Sequence, residues 1–183
     1  MTVPVPGLRI RPLGTADEGE ARAAHAELAA EAFDFLLEVP GARSWASHLR
    51  RLDDIRMGVN VPPGYVAATF LVAEVDGRLV GRVSIRHSLT PWLAEWGGHI
   101  GFGVRPAFRR RGVATALLRE GVRVAAAAGV ERALVTCEAD NAGSAATIAR
   151  CGGVFERLSR PDEAGVVVRR YWIDTGSDRA IPG

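Results

Sequence analysis

Residues 99–114 read His-Ile-Gly-Phe-Gly-Val-Arg-Pro-Ala-Phe-Arg-Arg-Arg-Gly-Val-Ala, the stretch of this chain whose residue types and spacing most clearly serve chemistry. Arg109, Arg110 and Arg111 run into Gly112, where a helical pattern opens. The first turn of a helix leaves N–H groups without internal acceptors, and the helix dipole adds partial positive charge at the same place. Gly112 and Ala114 keep side-chain bulk away from an approaching anion. The arginines add charge of a shape that suits phosphate. The chemistry on offer is anion capture, and a pyrophosphate-bearing ligand fits it.

The spacing narrows the choice of phosphate loop. The chain contains no lysine, so the Gly-x-x-x-x-Gly-Lys-Ser/Thr loop of nucleotide hydrolases is excluded, and no Gly-x-Gly-x-x-Gly fingerprint occurs. What stands here is Arg109-x-x-Gly112-x-Ala114, preceded by the apolar run Ile100, Phe102, Val104 and a turn at Pro106. This resembles the coenzyme A loop of the GNAT acetyltransferase superfamily. A second motif is similar to the family's Asn-x-x-Ala-x-x-x-Tyr-x-x-x-Gly-Phe: Asn141, Ser144 and Gly152 fall in place, with Ile148 at the tyrosine and Gly153 at the phenylalanine. The phrases Ser84-Ile85-Arg86-His87, Gly97-Gly98-His99-Ile100 and Arg170-Tyr171-Trp172-Ile173 resemble a bacterial branch of predicted acetyltransferases.

The resemblance implies transfer of an acetyl group from acetyl-CoA to an amine of a small molecule or peptide, by direct attack on the thioester. Phe102, Gly103 and Val104 would pair their backbone with the pantetheine amides, as an added strand pairs with a sheet edge. Arg109, Arg110, Arg111, Gly112, Val113, Ala114 and Thr115 would form the pyrophosphate loop, with Asn141 and Ser144 completing the cofactor set. Each hydrogen bond to a charged group contributes about 1.5–3 kcal/mol. The oxyanion donor would be a backbone N–H near Gly103 or Val104, and glycines at 101 and 103 are compatible with a bulge there. For the base, His99 has a suitable titration range, with Glu138, Glu95 and a water chain as rivals. Ile148 cannot protonate the departing thiolate; Tyr171 is a replacement, and a thiol of pKa about 8.5 leaves tolerably without one. Cys137 and Cys151 read as small buried hydrophobes and not as nucleophiles.

These residues need elements to hold them. Leu8, Ile10 and Leu13 suggest a short edge strand, and Thr15-x-x-Glu18 reads as a capping box before a helix running to about Leu37, ended by Pro40-Gly41. A second helix spans roughly Ser44 to Met57. Strands at Val66 to Val75 and Leu79 to Ile85 flank Asp76-Gly77, a tight-hairpin dipeptide. A loop with Pro91, Trp92 and Trp96 leads to the strand already described, then a helix to about Ala128. Ala133 to Glu138 is a strand, Asn141 to about Arg150 a helix, and Val154–Phe155 with Val166–Ile173 a last strand pair. The expected fold is an α/β sandwich, a mixed and mostly antiparallel central sheet flanked by helices. At 183 residues it forms one domain, with its core over 66–173 and an N-terminal helical segment over about 15–57.

Composition removes other classes. A net charge of +2 gives no broad basic surface, so nucleic acid is not an expected partner despite the arginine triplet. No apolar run reaches membrane length, the start Met-Thr-Val-Pro-Val-Pro lacks a signal-peptide pattern, and the two cysteines have no metal or disulfide spacing. No metal is expected, and the setting is cytoplasmic. The acceptor groove would draw on the N-terminal helices, the loop 87–97 and the last strands, where Arg86, His87, Trp92 and Trp96 lie. Glu31, Asp34, Glu38, Asp53 and Asp54 are candidates to attract a cationic amine. The family allows a homodimer through the final strands. The competing reading is a non-catalytic acyl-CoA-binding module, motivated by the absent tyrosine.

Overall fold

The computed structural model describes residues 5–37 and 42–176. Among these residues, seven strands form one sheet: β1 (Arg9–Arg11), β2 (Ala68–Val75), β3 (Arg78–Arg86), β4 (Ile100–Val104), β5 (Arg132–Glu138), β6 (Val154–Leu158) and β7 (Val168–Asp174), in the order β1-β2-β3-β4-β5-β7-β6. Every neighbouring pair is antiparallel except β4 with β5. The mixed, mostly antiparallel sandwich expected from the sequence is the architecture found. Asp76 and Gly77 both take positive φ, 49° and 76°, which closes the β2–β3 hairpin tightly.

Among the described residues, four α-helices cover the sheet: α1 (Glu18–Ala29), α2 (Trp45–Arg56), α3 (Val113–Ala127) and α4 (Ala142–Arg150). Strand alternation divides the side chains between two faces. On one, Val83, Ile85, Ile100, Val135, Tyr171 and Ile173 meet Leu117, Leu118 and Ile148 of α3 and α4. On the other, Phe70 and Val72 meet Ala21, Ala24, Leu28 and Trp45 of α1 and α2, with Phe35 buried among them. The sheet thus separates two cores, and its central strands β3 and β4 touch both.

The structure departs from the sequence reading at several boundaries. The first helix stops at Ala29 instead of continuing to Leu37. Ala32 adopts a left-handed φ of 55°, and the Leu28 carbonyl accepts from both Glu31 N–H and Phe33 N–H, which ends the helix without a glycine to announce it. The Thr15–Glu18 capping box does not form; the Asp17 carboxylate instead accepts the Gly14 N–H at 2.6 Å and pairs with Arg11. Glu38, Pro40 and Gly41 lie outside the described residues. Within the loop before β4, residues Leu93–Gly97 wind into one π-type turn. The last pair shifts too, with β6 reaching Leu158 and β7 beginning at Val168.

Candidate active site

β4 is bonded along its full length on one side only. Its ladder with β3 runs without interruption from Gly81↔Val104 to Ile85↔Ile100, whereas its parallel pairing with β5 is confined to Ile100↔Val135. Beyond that point the two strands part. The bonds that bracket the β3 ladder, Arg86 N–H to His99 O at 2.8 Å and Arg105 N–H to Val80 O at 2.9 Å, fix its alternation. Gly101 and Gly103 turn their amides to β3. Phe102 and Val104 turn theirs into the gap. Of the two backbone donors expected for an oxyanion, Val104 N–H therefore faces the opening and Gly103 N–H does not. The bulge expected at these glycines is absent from the β3–β4 ladder, because the register does not slip. Gly103 answers to packing: a Cβ there would lie 2.3 Å from the Phe33 ring.

The same gap ends at the start of α3. Gly112 is its N-cap at φ 87°, a left-handed value, and Arg110 stands at φ 60°. No described side chain caps this helix, and its first internal bond is Ala116 N–H to Gly112 O at 3.0 Å. Among the described residues, the N–H groups of residues 110–115 have no acceptor. They form a cluster of free donors at the positive end of a four-turn helix. Arg110 and Arg111 are exposed beside it, and the Arg111 guanidinium lies 5.7 Å from the Phe108 ring centre. Val113 and Thr115 are buried, so their side chains are not available to a ligand. Arg109 is differently employed. Its Nε donates to Val104 O at 2.9 Å and its remaining nitrogens grip the Glu31 carboxylate, which ties the loop to β4 and to the end of α1. That guanidinium holds the Glu31 carboxyl below its ordinary range. Asn141 and Ser144 serve each other: the Asn141 side-chain oxygen accepts Ser144 N–H at 2.9 Å and caps α4.

The three candidate proton carriers are not brought together. His99 makes a double bridge to Leu134, donating its own N–H to the Leu134 carbonyl at 2.7 Å and accepting the Leu134 N–H on Nδ1 at 3.0 Å. With Nδ1 an acceptor, the neutral ring carries its proton on Nε2. Burial, with the Arg86 charge added, pushes its pKa below the usual histidine value. Glu138 is exposed at the end of β5. Tyr171 is buried in the α3–α4 core, its ring edge-on to Phe155 at 5.5 Å. Glu95 is committed elsewhere: Arg157 grips both its oxygens at 3.0 and 2.7 Å and Arg160 N–H donates at 2.9 Å, which together hold its pKa down at about 2. Burial pushes the Cys137 thiol up to about 11 and raises Cys151 as well, so neither is poised as a thiolate.

The parted β4–β5 pair thus opens onto an uncapped, donor-rich helix start. Residues 27–153 match the family model described as the acetyltransferase (GNAT) family. The chain belongs to the GNAT acetyltransferase family. Solved structures share the fold over nearly the whole chain. YncA of Salmonella typhimurium, a putative acetyltransferase with acetyl-CoA bound, aligns at a TM-score of 0.63 and 15% identity, covering 97% of this chain and 98% of that one. RimJ of Mycobacterium smegmatis, in complex with CoA-disulfide, gives 0.68 and 23%, covering 98% and 87%. The Salmonella typhimurium acetyltransferase that modifies the N-terminal serine of ribosomal protein L7/L12 gives 0.64 and 16%, covering 94% and 98%.

Against the GNAT pattern, Ile148 is fully buried in the core shared with Tyr171. Among the described residues no helix is long and apolar enough to cross a membrane, and no group of acidic, histidine or cysteine side chains is arranged for a metal. Sequence reasoning passed over Arg82 and Phe33. The Arg82 guanidinium lies 4.3 Å from the Phe33 ring centre, and both sit over the glycine-bearing face of β4. The period-2 pattern of Arg82, Ser84 and Arg86 was the available signal. What it lacked was any hint that the polar face of that strand would be covered.

Proposed function

We propose that this chain transfers the acetyl group of acetyl-CoA to an amine on a small molecule or protein. The parted β4–β5 edge leading to the free N–H cluster at α3 carries this reading. The Phe102 N–H and C=O and the Val104 N–H suit an extended chain of amides, while residues 110–115 supply donors for two phosphates. When bound, acetyl-CoA supplies an acyl group activated as a thioester. Val104 N–H is the preorganised donor for the carbonyl oxygen as negative charge grows on it. His99 positions β4 against β5, since the lone pair it would need as a base already accepts from Leu134. The amine proton then falls to Glu138, exposed where β5 ends, or to water. Tyr171 stands in the same core as Ile148 and is the hydroxyl nearest in kind to the missing acid. The reading carries a cytoplasmic setting and a single acetyltransferase domain over residues 1–183, and it accommodates a homodimer.

Calorimetric titration with acetyl-CoA, followed by a thiol-release assay over varied amines, tests the proposal. Binding with amine-dependent release is expected. The buried Ile148 favours a second reading, an acyl-CoA-binding module without turnover, and binding with no release from any amine would select it. Failure to bind at all would remove both.

A further inference from the structure

The buried and half-buried arginines Arg82, Arg86, Arg105 and Arg170 are of two kinds. Arg105 meets Glu27 at 2.6 Å and Glu20 at 3.2 Å, and Arg170 meets Glu156 at 2.8 Å and Glu95 at 4.0 Å. Arg82 and Arg86 meet no carboxylate in ion-pair range among the described residues. Arg82 donates to the Gly101 carbonyl at 3.2 Å and the Asp34 carbonyl at 2.8 Å, and its Nε is buried with no partner. Arg86 Nη1 donates to the Gly97 and Gly98 carbonyls at 3.3 and 3.2 Å, while its Nε and Nη2 donate to no described residue.

Strand alternation sets Arg82 and Arg86 on the same face of β3 with Ser84 between them, opposite Gly101 of β4. A Cβ built on Gly101 would lie 3.8 Å from Nη1 of each arginine, so the two charges converge over one bare patch of backbone. Phe33 seals the Arg82 end, and the Arg86 end is half-open. Two like charges, one buried and one half-buried, with no carboxylate in ion-pair range are unfavourable. Accordingly burial pushes Arg82 down to about 9, with the Arg86 charge adding to the fall and the Asp34 carboxylate opposing it. A bound anion would relieve both. Of the acids that could instead attract a cationic amine, Glu31 is paired with Arg109, Asp53 with Arg56 at 2.7 Å, and Asp54 with Arg51 at 3.6 Å, while Asp34 lies 3.5 Å from His25 and within the field of Arg82.

We infer that Arg86, backed by Arg82, seats an oxyanion, carboxylate or phosphate, carried by the acceptor amine. The inference rests on the acetyl-transfer reading above, which brings the acceptor to this face of β4, one residue from the amide edge of Phe102. The acceptor class is an amine that also bears an acid, such as an amino carboxylate or an aminoalkyl phosphate, and not a polyamine.

Matched acceptors test this by thiol release at saturating acetyl-CoA: an amino carboxylate against its carboxamide, and an aminoalkyl phosphate against its alcohol. The acid-bearing member of one pair is expected to lead by about tenfold or more in kcat/KM, the scale of one charge-assisted hydrogen bond. Which pair responds tells carboxylate from phosphate. In Arg86→Gln the lead shrinks to about twofold, with the loss in KM and not in kcat. Because Arg82 is buried, Arg82→Lys accompanies Arg82→Gln and is expected to keep more of the preference. Calorimetry with CoA separates the two levels of failure. Wild-type protein without CoA affinity counts against acetyl transfer itself. Intact CoA affinity with neutral amines used as well as acidic ones, or a preference that survives in Arg86→Gln, overturns the anion seat alone.

Discussion

The two sides of β4 are built from different materials. Toward β5 it presents backbone: the Phe102 and Val104 amides and, past Arg109, the uncapped start of α3. Toward α1 and α2 it presents almost nothing of its own, because Gly101 and Gly103 lack side chains, and the space is taken by Arg82, Arg86 and Phe33 from neighbouring segments. Backbone donors serve a ligand part common to a whole family, since every residue type but proline supplies the same N–H. Side chains serve what differs between members. On the proposed function, the first side serves the cofactor and the second the acceptor.

The largest effect should come from spoiling the backbone side alone. Gly112→Asp sets a carboxylate among the free donors and costs about 1–2 kcal/mol of backbone strain at a left-handed position. CoA affinity should fall by about a hundredfold or more, the cost of losing one or two hydrogen bonds to phosphate and adding a repulsion. Melting should drop only by the strain. Calorimetry reads the first quantity and a thermal scan the second. Unchanged CoA affinity would mean that the pyrophosphate lies elsewhere.

The side-chain side is probed by Gly103→Ala, whose new methyl would overlap the Phe33 ring at 2.3 Å. Overpacking of this kind costs about 1–3 kcal/mol. Phe33→Leu in the same chain should recover part of the loss, so the two changes are expected to be non-additive in denaturant unfolding. Strict additivity would mean that Gly103 is fixed by something other than the ring above it.

The same division explains what could be read from the residues. Arg109-x-x-Gly112-x-Ala114 announces a loop because its requirements are local: a left-handed glycine, a helix start, a strand before it. The β2–β3 hairpin was legible for the same reason. Ala32 ending α1 was not, since an alanine at φ 55° has no signature in sequence. Nor was the double task of Arg109, which depends on Glu31 arriving from 78 residues away. Arg82 shows the limit most plainly. Its place in an alternating strand was visible, but its burial depends on a segment after α1 folding over it.

Glu95 braces the sheet beyond β5. Arg157, Arg160 and Arg170 converge on it and so join β6, β7 and the turn at 93–97. In the unfolded chain its carboxyl returns to an ordinary 4.5, whereas in the fold it stays charged down to about 2. The stability it adds is therefore full above about 4.5 and is lost as the pH falls toward 2. Glu95→Gln should be less stable than wild type at neutral pH, and the gap in denaturant midpoint should close on acidification through that window. A gap that stays constant with pH would show that the carboxylate charge is not what braces this corner.

The smallest expected change lies where the two sides meet. His99 bridges β4 to β5 at the last point before they part, and its Nδ1 is occupied by Leu134 N–H. Protonating the ring means giving up that bond and charging a buried group, so the fold resists it and the His99 pKa lies below the ordinary 6.5. A depressed histidine makes the protein less stable as the pH falls below that value, because the unfolded chain takes the proton more readily. His99→Gln can keep an acceptor near Leu134 while removing the titration. The acid limb of the pH–rate profile should stay where it is, although turnover falls if the strands shift, and the acid-side loss of stability should flatten. If the limb moves or disappears with the melting curve otherwise preserved, His99 is the base after all, and the junction of the two sides belongs to catalysis and not to positioning.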